Sequence, residues 1–211
     1  MGHYLIIGGS GGIGSALARA LKAEGHTLHL TGRDVSRLQA IATETGATFT
    51  VGDVLDQGFI ASAVLEAGPV LDGLAYCAGT INLKPLARLT DEDFRHDHAV
   101  NALGAVQTIQ AALPALKAAS GTASILLFSS IAVAQGFVSH ASISMAKGAI
   151  EGLTRALSAE LAPKIRVNAI APSLTDTPLA KAITGNAAIA QGIAALHAIP
   201  RLGEADDIAA I

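Results

Sequence analysis

The chain has 211 residues, 51% of them hydrophobic and 15% charged, with a formal net charge of -3. One ordinary domain of roughly 100–200 residues accounts for this length, and so apolar a composition excludes a disordered chain. The near-neutral charge leaves no electrostatic case for nucleic acid or a membrane surface, and the single cysteine, Cys77, excludes an internal disulfide framework.

The first predicted strand is Tyr4–Ile7, an apolar run ending in glycines. A helix follows over about 13–24, with Ile13, Leu17, Ala20 and Leu21 on one face. Leu28–Leu30 is the second strand, a helix begins near Val35, Thr48–Val51 is the third strand, and another helix follows Asp56. Leu71–Ala78 reads as the fourth strand. Thr90 is the expected N-cap of one long helix running toward Ala119, with Asp91, Glu92 and Asp93 at its positive end. Ser124–Phe128, a helix over about 142–162, and Ile165–Ile170 complete the pattern.

Apolar strands separated by helical stretches pair in parallel, because each crossover must cover a face of the sheet. The prediction is a single α/β domain over 1–211, a doubly wound parallel sheet with helices on both faces. A small helical flap is expected at about 178–200. Residues 118–146 lack Asp, Glu, Lys and Arg, a length that would cross a bilayer at about 20 residues. Seven serines, two glycines, Gln135 and His140 make this stretch a buried strand, a polar loop and a helix start instead. With no basic region or cleavage pattern at the N-terminus, a cytoplasmic protein is expected.

Gly8, Ser10, Gly11, Gly12, Ile13 and Gly14 lie between the first strand and first helix. A glycine turn here presents backbone N–H groups and a helix N-terminus to a dinucleotide pyrophosphate. A structural turn is the plainer reading of glycines alone. At the end of the second strand a carboxylate would bind the 2′-OH of NAD, whereas Arg would accept the 2′-phosphate of NADP. Gly32-Arg33-Asp34 stands there, which favours NADP(H); the alternative is a solvated Arg33 with Asp34 capping the next helix.

These motifs together resemble the short-chain dehydrogenase/reductase family, especially its 3-oxoacyl-carrier-protein-reductase-like branch, over nearly the whole chain. The resemblance implies a Rossmann fold. It places Asp53 and Val54 beside the adenine and makes Cys77, Ala78 and Gly79 the remainder of an N-N-A-G motif. Asn101 corresponds to the family's helix asparagine and Ser130 to its catalytic serine. Pro172 stands in the R-V-N-x-x-x-P-G segment, with Ser173 for Gly, and Thr177 lies near the nicotinamide carboxamide. Ser130, Lys147 and Asn101 are the implied catalytic residues, and Lys147 also holds the nicotinamide ribose. The family commonly forms homodimers or homotetramers, here through helices at 90–119 and 142–162, and acts on small molecules. It also continues into a seventh strand, so six strands are expected up to Ile211.

One residue breaks the pattern. A tyrosine is expected 13 residues after Ser130 and four before Lys147, but Ile143 stands there and has no proton to give. His140 lies seven residues before Lys147, where enoyl-reductase-like relatives carry their tyrosine; a solvated histidine at a helix start is the plainer reading. Ser142 and Ser144 should point about 100° away from position 143 on a helix. Dienoyl-CoA-reductase-like relatives also lack the tyrosine. The expectation is an NADP(H)-dependent oxidoreductase of an apolar carbonyl or hydroxyl compound with an altered proton donor. The alternative is a cofactor-binding protein without turnover. Asn101 in mid-helix is expected to hold a water near Lys147, and Cys77 to be a small apolar filler.

Overall fold

The computed structural model describes residues 1–211. Six parallel strands form one sheet in the order β3-β2-β1-β4-β5-β6. They are β1 His3–Ile7, β2 Thr27–Gly32, β3 Thr48–Val51, β4 Gly73–Tyr76, β5 Ala123–Phe128 and β6 Ile165–Ile170. The winding reverses at β1, which pairs with β2 on one side and β4 on the other. Ligands of open α/β sheets bind outside the strand C-termini at such a reversal. The loops leaving all six strands at that end carry the candidate site residues.

Both faces of the sheet are covered. Leu5 and Ile7 join Leu74, Ile125, Leu127, Ile109 and Ile150 in the larger core cluster, whereas Ile6, between them in sequence, joins Leu28, Leu30 and Leu38 in a second. A strand buried on both faces needs apolar residues at successive positions, which is why these strands read as runs rather than alternations. The helices that cover the sheet include α1 Gly12–Ala23, α2 Val35–Thr45 and α3 Phe59–Ala67.

The predicted long helix after Thr90 is not continuous. Thr90 does cap it, in a reciprocal box with Asp93. The helix then runs as α4 Asp91–His98, a π-helical segment Ala99–Leu103, and α5 Gly104–Lys117. Two side chains take carbonyls at the break: Tyr76 Oη donates to Val100 O at 2.6 Å, and Asn101 Nδ2 to Asp97 O at 2.8 Å. The fourth strand is also shorter than predicted, because Leu71 N–H is drawn to Ala115 O at 3.0 Å.

The charge-poor stretch 118–146 resolves into β5, a short helix α6 Ile131–Gln135, and the start of α7 Ala141–Leu161. After β6 the flap consists of a 3-10 turn at Pro178–Ala180, α8 Lys181–Thr184 and α9 Ala187–Ala194. A bridge between Thr175 and Gly203 closes its base before α10 Ala205–Ala209.

Candidate active site

Gly8 leaves β1 with φ of 78°, in the left-handed region that glycine tolerates. A methyl group on it would also meet Ala78 N at 2.9 Å, and one on Gly12 would sit 2.6 Å from Thr177 Cγ2. The glycines therefore let three segments converge: the turn itself, the Cys77–Ala78 strand end, and the foot of the flap. Gly11 occupies the cap position of α1 and no side chain caps that helix. The first N–H groups, of Gly12, Ile13 and Gly14, are left for an anion. A cradle that a Cβ would fill, leading to an uncapped helix end, fits a dinucleotide pyrophosphate.

At the end of β2, Ser10 Oγ packs against Gly32 closely enough that a Cβ there would collide with it. Arg33 follows with its side chain 77% exposed, and its Nη1 donates to Asp53 Oδ2 at 3.1 Å. Asp34 caps α2, accepting from Arg37 N–H at 3.0 Å. Arg33 is thus neither free in solvent nor locked, since exposed pairs contribute about 0–1 kcal/mol. Val54, beside Asp53, packs against the larger core cluster.

The strand end after β4 is the hub of the site. Burial pushes the Cys77 thiol up to about 12, against a smaller opposing pull from Lys147, so it remains protonated. A methyl built on Gly79 would lie 2.9 Å from Asn101 Oδ1 and 3.4 Å from Lys147 Nζ, so both groups border this glycine. Lys147 Nζ donates to Phe128 O at 2.9 Å, its one protein acceptor. Lys147 is half-buried, and burial lowers its ammonium to about 8 while Cys77 and Asp97 oppose that fall.

Ser130 stands two residues beyond Phe128. Its Oγ accepts from Ala132 N–H at 3.2 Å and caps α6, which leaves its own proton to donate. Ile131 N–H reaches Pro172 O at 3.2 Å, bringing the loop after β6 alongside. Thr177 accepts from Ala180 N–H at 3.4 Å and starts the flap. Ile143 is 6% exposed, one helical turn before Lys147. His140 Nδ1 pairs with Val138 O at 2.7 Å. Ser142 and Ser144 do point elsewhere, to Asp97 Oδ2 at 2.6 Å and Ala132 O at 3.3 Å.

Asn101 ties the strand end after β4 to the helix break. Its Nδ2 donates to Thr80 Oγ1 and Asp97 O, both at 2.8 Å, and its Oδ1 accepts from Thr80 N–H at 3.3 Å. Thr80, Asp97 and the role of Tyr76 escaped the sequence reading, as did the partner that Ser142 finds in Asp97. The signal for Asp97 was present: it lies one turn before Asn101 on a helix face that continues as Ala105 and Ile109, where a carboxylate has no solvent to enter. A surface hollow between α3 and α5, lined by Val54, Ile60, Leu103 and Gln107, lies apart from Ser130 and Lys147.

The sequence model of a family described as enoyl-(acyl carrier protein) reductase matches residues 8–211. A solved short-chain dehydrogenase/reductase from Brucella melitensis superposes with a TM-score of 0.91 at 30% identity, covering 99% of this chain and 86% of its own. The chain belongs to the short-chain dehydrogenase/reductase family. A 3-dehydrosphinganine reductase of Arabidopsis thaliana is 38% identical over 186 residues, 83% of this chain and 56% of that protein. The chain thus spans little more than half the length of that relative. An L-2,3-butanediol dehydrogenase of Corynebacterium glutamicum is 34% identical over 82% of this chain and 71% of its own. The family's chemistry is oxidoreduction with a nicotinamide cofactor, and this fold is its Rossmann fold.

Proposed function

We propose that this short-chain dehydrogenase/reductase interconverts a carbonyl and a hydroxyl with NADP(H), and that His140 carries the proton in place of a tyrosine. The observation that carries the reading is the ammonium of half-buried Lys147, which has one protein acceptor and borders Gly79 beside Asn101. An ammonium so placed is built to hold a polar ligand. The uncapped α1 terminus and its glycines would bind the pyrophosphate, and Arg33 and Ser10 at the end of β2 the 2′-phosphate. When bound, the nicotinamide supplies or accepts the hydride.

Reduction of a ketone leaves an alkoxide oxygen that needs a proton. Ser130 has its hydroxyl proton available to bond that oxygen. His140 Nδ1–H donates to Val138 O, so Nε2 is the atom that exchanges a proton, and His140 is the N-cap residue of α7, seven residues before Lys147. Exposed Phe137, Val138 and Leu196 around α6 and the flap favour an apolar substrate. Exposed Leu103 and Met145, with little charge on α5, favour a homodimer or homotetramer through α4–α5 and α7.

The test is NADPH oxidation against a panel of ketones, with calorimetry of NADPH and NADH binding. NADPH should bind more tightly, and Arg33→Ala should remove the preference. His140→Ala should cost about 10²-fold or more in rate with little change in cofactor affinity. Equal affinity for both dinucleotides overturns the cofactor assignment, and an undiminished rate in His140→Ala overturns the proton donor.

A further inference from the structure

Asp97 is 0% exposed, in the middle of the protein, and the roles assigned above make no use of it. Its Oδ1 accepts from Thr80 Oγ1 and its Oδ2 from Ser142 Oγ, each at 2.6 Å. Both distances fall in the range of O–H···O⁻ bonds, and Ser142 Oγ also reaches Asp93 O at 3.3 Å. The direction of the first is fixed. Asn101 Nδ2 can only donate, so it gives its proton to Thr80 Oγ1, which leaves the threonine proton free for Asp97 Oδ1. Turning the Asn101 amide over would set its oxygen against Asp97 O and its NH2 against Thr80 N–H, so the assignment is forced.

The chain of contacts runs from Asp97 through Thr80 and Asn101 to Gly79, and Lys147 Nζ borders the same glycine. No arginine or lysine bonds Asp97. On its own helix it is flanked by Asp93, one turn earlier and engaged by Lys84 at 2.6 Å, and by His98, whose Nδ1 is buried without a partner. Lys147 is faced by Cys77 from the end of β4 and by Asp97 from α4. Glu151, a turn further along α7, is taken up by Ser129 and Arg155.

We infer that Asp97 is a positioning residue of this site: its buried carboxylate fixes Thr80 and Asn101 against Gly79 and supplies the fixed negative charge that faces the Lys147 ammonium in a chain with no tyrosine at position 143. The inference deepens the function proposed above and rests on it for its catalytic meaning. The electrostatic part is a property of the protein alone. A carboxylate bonded by two hydroxyls, one of them held in turn by Asn101, is fixed in place, and its burial leaves its attraction for the lysine little screened.

The test reads Lys147 directly, in protein without cofactor. Lysines are labelled with 13C at Cε and titrated by NMR, and the Lys147 signal is assigned by its loss in Lys147→Met. Asp97→Asn should lower the Lys147 midpoint by about one pH unit. The alkaline limb of kcat/KM for ketone reduction should move by the same amount. Ser142→Ala removes one donor and no charge, and should give a smaller fall in the same direction; it carries the test if Asp97→Asn does not fold. A midpoint unmoved in the variant that folds overturns the inference. A lowered midpoint in protein that reduces no ketone supports the charge coupling and overturns the function proposed above instead.

Discussion

Replacing Lys147 by methionine should make the protein without cofactor more stable at neutral pH while removing its ligand-binding capacity. The folded protein holds this ammonium with its value lowered from 10.5 to about 8. Between those values the folded state binds fewer protons than the unfolded state, so stability rises with pH through the window from about 8 to 10.5. Below about 8 the cost of burying the charge is present in full. At about 1.4 kcal/mol for each pH unit, the cost is about 3 kcal/mol. Partial exposure of the lysine and the counter-charge of Asp97, which a methionine no longer answers, reduce the expected gain to about 2 kcal/mol. Urea denaturation of the wild type and Lys147→Met at neutral pH and at about pH 10 measures it, with matching m-values required for the comparison. The variant should be the more stable at neutral pH, and most of the gap should close by about pH 10. A variant less stable than wild type at neutral pH, or a gap that does not change with pH, would refute the reasoning.

Ile143→Tyr places a phenol one turn before Lys147 and, added to His140→Ala, should restore ketone reduction about 10²-fold, measured as NADPH oxidation. Because Ile143 is buried, the larger ring should also cost about 1–3 kcal/mol in denaturation. Gly104→Ala should destabilise by a similar amount, since its methyl group would collide with Tyr76 Oη. Adding Tyr76→Phe should recover part of that loss, and a double-mutant cycle that comes out additive would count against the contact. Light scattering at micromolar concentration should give a dimer or tetramer, and a monomer would remove the assembly proposed for α4–α5 and α7.

The parts of the fold written in single segments were legible. An apolar run ending in glycines, followed by a helical face, needs no distant partner to be read, and the spacing from Ser130 to Lys147 survives any rotation of the intervening loop. What escaped depends on residues far apart in sequence. The helix break at Ala99–Leu103 is imposed by the hydroxyl of Tyr76, which arrives from β4. Arg33 and Asp53 meet because β2 and β3 are neighbours and end together. The short helix α6 follows from Ser130 turning its oxygen onto Ala132 N–H, a local bond that left no periodic trace in five residues. Asp97 was readable as a misplaced carboxylate, but only Thr80 and Ser142 explain how it is tolerated.

The contact between Gly12 and Thr177 joins two parts of the molecule that have separate tasks. Thr177 is the last residue before the flap, and Gly12 is the first residue of the helix whose terminus faces the anion. A shift of the flap's foot is therefore a shift of the floor of the turn. Thermodynamic linkage makes the consequence symmetric: whatever factor the dinucleotide contributes to the flap's grip on a substrate, the substrate returns to the dinucleotide. Residue 12 is accordingly restrained twice, once by the turn it belongs to and once by a threonine at the far end of the chain. Under the function proposed above, affinities at the two sites are then not independent constants, and each has a defined value only with the occupancy of the other stated.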